Sequence, residues 1–156
     1  MRKSFYLLSI FIIFLSACQP NQETELLLND SNWTSSHFLM TMPSHQSSDS
    51  TYTIEANETT WERVLEGQPS KLHFGANGEY TEEHFGVNSD LILKYEGKWT
   101  VIADSLILDI QKPLNTKHAY KISILEESGL LKLSQTRDLD RDKQKDDNKT
   151  VTYKKK

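Results

Sequence analysis

The sequence predicts an all-β domain, an antiparallel up-and-down β-barrel of about eight strands, and three observations carry that prediction. Apolar residues recur with period two in short segments, as they do in half-buried strands. Turn residues separate those segments at intervals that suit a meander. Only Glu58 to Leu65 reads as helix, with Asn57 as its cap. Eight to ten short strands with so little helix imply a barrel or a sandwich, and the run of sequential hairpins favours the barrel.

The segments appear in order along the chain. Trp33 to Met42 and Thr51 to Glu55 supply two early strands with poor alternation. Leu72 and Phe74 precede Ala76-Asn77-Gly78, and Tyr80 opens the next segment. Asn-Gly between two such runs signals a hairpin, because both residues tolerate positive φ. Leu91, Leu93 and Tyr95 alternate up to Glu96-Gly97, read as a turn, with Trp99 and Val101 on its far side. Ala103-Asp104-Ser105 turns into Leu106, Leu108 and Ile110, and Pro113 to Thr116 breaks the chain before Tyr120, Ile122 and Ile124. Glu126 to Gly129 precedes Leu131 and Leu133, and Val151 with Tyr153 forms the last strand.

The N-terminus has a different character. Met1-Arg2-Lys3 is basic, Phe5 to Phe14 is almost unbroken apolar sequence, and Leu15-Ser16-Ala17-Cys18 closes the stretch with small residues before the only cysteine. A membrane span needs roughly 20 apolar residues, so residues 1–17 read as a cleaved signal peptide. The closing motif resembles a bacterial lipobox, which implies that Cys18 becomes a lipid-bearing N-terminus carrying several acyl chains, enough for firm anchoring. Gln19 follows where retention in the inner membrane would favour Asp, so the expected location is the cell envelope, at the outer membrane. Residues 18–25 are polar, contain Pro20 and read as a lipidated tether. Residues 26–156 form the domain.

Losing Arg2 and Lys3 takes the formal charge from −4 to −6, which argues against nucleic acid as a partner. About 139 residues remain, one domain's worth of chain. No cysteine is left for a disulfide, so packing alone must stabilise the domain.

Phe74-Gly75-Ala76-Asn77-Gly78-Glu79-Tyr80, Tyr95-Glu96-Gly97-Lys98-Trp99, Asp104-Ser105-Leu106-Ile107-Leu108, Tyr120-Lys121-Ile122 and Leu131-Lys132-Leu133 together resemble the small lipocalin-like lipoproteins common in Bacteroidetes. The resemblance covers residues 26–156. One departure stands out: lipocalins usually open with Gly-x-Trp, and here Ser31 stands two before Trp33. The resemblance implies a closed sheet whose inward residues fill the barrel or line a cavity for one small apolar ligand. The candidate ligand contacts are Trp33, Phe74, Tyr80, Trp99 and Leu108, with core packing at the barrel base the plainer reading of Trp33 and Trp99.

A second feature is the acidic loop from Arg137 to Lys149. Asp138, Asp140, Asp142 and Asp146 are spaced like the start of a calcium loop, where alternate residues aim oxygens at one hard cation. Lys143 stands where the sharp turn requires Gly, and Lys149 where the bidentate Glu belongs. The plainer reading is a solvated hairpin tip of mixed charge. Calcium is the one metal the sequence suggests, and no other cofactor is expected.

Signs of catalysis are thin. His37, His45, His73, His84 and His118 fall in separate segments without metal-ligand spacing. Glu82-Glu83-His84 sets a carboxylate beside an imidazole, but neighbours on a strand point to opposite faces. No nucleophile elbow, phosphate-binding loop or cysteine nucleophile appears. The expectation is therefore a non-catalytic, lipid-anchored barrel that binds a small apolar ligand, the alternative being a filled barrel that docks an envelope protein.

Overall fold

The computed structural model describes residues 22–43 and 50–156. Cys18, the signal segment and His45 lie outside the described residues. The elements are α1 (Gln22–Leu28), β1 (Ser31–Met42), β2 (Tyr52–Asn57), α2 (Trp61–Leu65), β3 (Gly67–Phe74), β4 (Glu79–Gly86), β5 (Leu91–Ile102), β6 (Ser105–Lys112), β7 (Thr116–Leu125), a 3-10 turn (Glu126–Ser128), β8 (Leu130–Arg137) and β9 (Asp147–Lys155).

All nine strands belong to one antiparallel sheet, and β1 pairs with β9 to close it. β2 and β3 share one flank of β1: Asn57 stands opposite His37 and Lys71 opposite Thr34, with α2 looping out between them. They are two halves of a single stave, so nine strands make a closed eight-stave barrel. β1 carries a bulge between Ser35 and His37 on its β9 side, and a bulge of this kind bends a strand around a barrel. The expected meander is present, in the expected order.

Two local expectations are corrected by the structure. Glu96-Gly97 is not a turn: β5 runs unbroken from Leu91 to Ile102, with a register shift against β6 at that pair. The glycine is required there for a different reason. A Cβ on Gly97 would lie 2.0 Å from the Asp109 carbonyl oxygen and 2.9 Å from the Tyr80 ring. The turn between β4 and β5 falls earlier, where Gly86 N–H donates to the Asp90 carbonyl and Ser89 takes φ 64°. The helix is also shorter than expected. Asn57 Oδ1 accepts the Thr59 and Thr60 N–H groups at 3.0 and 3.1 Å, ordering a turn first, and α2 starts only at Trp61.

One end of the barrel is stoppered. Gln22 to Glu25, read as tether, belongs to α1, which brings Leu28 to full burial in the core. Ser31 explains its place before Trp33. Its hydroxyl donates to the Leu28 carbonyl and accepts from the Trp33 indole N–H at 2.7 Å, tying stopper to strand. Phe74 and Trp99 meet edge to face with centroids 5.5 Å apart, and Leu106, Leu131 and Val101 are buried in the same core cluster. Such packing at near-crystalline density leaves no room for added atoms.

Gly97→Ala therefore destabilises the domain by about 1–3 kcal/mol, as overpacked cores do. Urea denaturation followed by tryptophan fluorescence measures it, and an unchanged midpoint would contradict the close approach to Asp109.

Candidate functional site

Along several strands the inward face changes chemistry partway up the barrel. On β4 the inward series runs from Tyr80 to Glu82 and His84, on β8 from Leu133 to Gln135 and Arg137, and on β9 from Tyr153 and Val151 to Lys149. Each step is two residues, so side chains stay on one face. The apolar members pack the closed half. The polar members surround a hollow of about 460 Å³ in the other half.

Leu72, Leu108, Ile110, Leu133 and Val151 form the apolar part of the hollow's wall, and Glu82, His84, His118, Gln135, Arg137 and Lys149 the polar part. Leu114, 57% exposed in the β6–β7 turn, and Leu139 of the β8–β9 loop also line it. The volume lies within the roughly 300–1,000 Å³ of small-molecule sites.

The polar wall is electrically lopsided. Glu82 is the one carboxylate lining the hollow among the described residues, and His84 Nε2 lies 3.3 Å from its Oε1. The pair arises because residues 82 and 84 share a face, while Glu83 points outward toward Lys94. Lys149 and Arg137 make no ion pair among the described residues. The Lys149 ammonium instead lies 5.7 Å from the centre of the Phe38 ring, a partial substitute for a counter-ion.

Burial lowers the Lys149 pKa, Glu82 opposes that shift and Arg137 adds to it. Burial also lowers the His118 pKa, helped by the positive charges of Arg137 and Lys149. The Tyr120 phenol is pushed up to about 12, first by burial and then by Glu82. Desolvation comes first in each case, as for groups partly covered by protein.

The expected ligand residues divide. Leu108 lines the hollow. Trp33, Phe74 and Tyr80 are buried in the core cluster of the stoppered half. Trp99 packs on Phe74 and donates its indole N–H to the Gly75 carbonyl at 3.2 Å. Its other side lines a more open groove beneath α1, shared with Gln22 and Leu26. The sequence reading missed the charged members because an inward Glu, Arg or Lys interrupts the hydrophobic period that locates an inward face.

The acidic loop is ordered largely by its own backbone. Asp147, 1% exposed, accepts the Leu139 and Asp140 N–H groups on Oδ2. Asp138 accepts the Lys143 N–H, Asp140 the Asp142 N–H, and Asp142 the Gln144 N–H. The carboxylates brought within 4.8 Å of one another are those of Asp138, Asp140 and Asp147; Asp142 and Asp146 are not in that group. Sequence spacing alone gave no reason to include Asp147, which opens a strand after the loop.

No protein-family model matches the chain, and no curated protein matches it in sequence. The fold and the hollow thus define the class: a closed antiparallel β-barrel, stoppered at one end and hollow at the other.

Lys149→Met should raise the urea midpoint at pH 7, because it removes a charge that burial disfavours while keeping the apolar stem. The sign follows from linkage. Between its lowered folded pKa and the ordinary 10.5, Lys149 binds more protons in the unfolded chain, so its penalty shrinks as pH rises. The stability gap between variant and parent, measured by urea titration, narrows as pH climbs from 7 toward 10.5. A variant less stable at pH 7 would contradict the assignment.

Proposed function

We propose that this protein is a non-catalytic binding module that takes one small molecule into the open half of its barrel. The hollow of about 460 Å³ is the observation that carries this reading. A barrel filled by its own side chains would have no such space, and small eight-stranded barrels either fill or hold one ligand. The apolar residues of the wall suit an apolar body, and the opposite end is occupied by α1 and the Trp33 cluster.

The lipobox-like run ending at Cys18 supports placing the module on a membrane surface of the cell envelope, held by its lipidated N-terminus. The stopper α1 begins four residues after Cys18. The ligand reading is favoured over a protein-docking scaffold because an interior space has no use in a scaffold.

Binding of the neutral dye phenylnaphthylamine to the full chain tests this. Saturable fluorescence enhancement with one site per chain is expected. In addition, native mass spectrometry of the chain purified from its own envelope should show a retained small-molecule mass. No saturable enhancement, together with a bare-chain mass, would overturn the reading.

A further inference from the structure

We propose that the hollow selects an amphiphile bearing a single acid group, its anionic head held at Lys149 and Arg137 and its apolar body against Leu72, Leu108, Leu133 and Val151. The proposal rests on the hollow being a ligand site and adds the ligand's charge and polarity. Three observations carry it.

The first is placement. Gln135 stands opposite Lys149 and Arg137 opposite Asp147, so Lys149 and Arg137 are diagonal neighbours across the β8–β9 ladder. Both line the hollow. Diagonal partners on one face lie about 7–8 Å apart at the backbone, within reach of two long side chains converging on one group.

The second is the charge balance. Lys149 and Arg137 face the hollow against one carboxylate, Glu82, and that carboxylate already has His84 at 3.3 Å. Asp147, Arg137's cross-strand partner, spends Oδ2 on two backbone N–H groups of the acidic loop. Lys149, Arg137 and Glu82 together leave one net positive charge on the lining, which matches a singly charged acid.

The third is desolvation. Arg137 is exposed at the rim and Lys149 half-buried, so a neutral ligand would cover the ammonium further and give nothing back, which costs it affinity relative to an acid. An acid group turns the same loss of water into charge-assisted hydrogen bonds, bidentate at the guanidinium. The apolar residues lie further along the same strands, Val151 two residues from Lys149 and Leu133 four from Arg137. Head and tail thus have separate seats.

Displacement of phenylnaphthylamine from the full chain at neutral pH by decanoate, decanol and decylamine tests the selection. Decanoate should displace the dye at concentrations about tenfold below decanol, the scale of one hydrogen-bonded charge pair, with decylamine the weakest. In the double variant Lys149→Met, Arg137→Leu, decanoate should lose its advantage over decanol, while dye and decanol bind at least as tightly as they do to the parent chain. Lys149→Arg should keep the preference for decanoate. Decanol matching decanoate on the parent chain, or the double variant keeping the preference, would overturn the selection of an acid while leaving the ligand site intact. A chain that takes up neither dye nor any of the three compounds would overturn the ligand site itself.

Discussion

The β1–β9 ladder is the constraint on which the rest of the molecule depends. Its register runs from Trp33 opposite Lys155 to Thr41 opposite Asn148, and it joins the two ends of a sheet that would otherwise expose two unpaired edges. Closure turns the period-two alternation of every strand into an inside and an outside. It also places Trp33, near the start of the domain, beside the last residues: Lys155's ammonium lies over the Trp33 ring and Lys156 N–H donates to the Asn32 carbonyl. Chain ends joined in this way confine the interior, and only a confined interior can be packed at one end and hollow at the other.

The two halves differ in what their strands present to the interior. In the stoppered half large apolar side chains, Ser31 and the end of α1 interlock, and Gly97 lets the β6 backbone and the Tyr80 ring approach where any Cβ would collide. In the hollow half the strands continue with the same alternation but present charge. Burial disfavours the charged forms of Lys149 and His118, a cost that the packed half does not carry. A half-buried ammonium without an ion partner costs stability, which is the physical reason to read that wall as a candidate binding surface.

The sequence made the architecture legible because turns and alternation are local. Asn77-Gly78, Ala103-Asp104, Pro113 and Gly129 mark real connections, and Gly78 and Gly129 take the positive φ their turns require, 74° and 61°. Glu96-Gly97 misled because a glycine demanded by close backbone approach looks the same in sequence as one demanded by a turn. The site was less legible. Bulky aromatics at inward positions drew attention to Trp33, Phe74 and Tyr80, which pack the core, and only Leu108 among the expected contacts lines the hollow. Glu82 and His84, two apart on one strand, and Lys149 and Arg137, brought together from two strands, become neighbours only through register. Asp147 joins Asp138 and Asp140 for the same reason.

The central claim is that the open half of the barrel holds a ligand oriented by its charge. A crystal structure of the chain soaked with an ω-brominated decanoate tests it most directly, because anomalous scattering identifies the bromine by element and so distinguishes the ligand's tail from side chains and water. The account predicts one interior bromine peak near Leu72 and Leu108, with carboxylate density at Lys149 and Arg137. Bromine found only on the outer surface, or an interior filled by rearranged side chains, would contradict it.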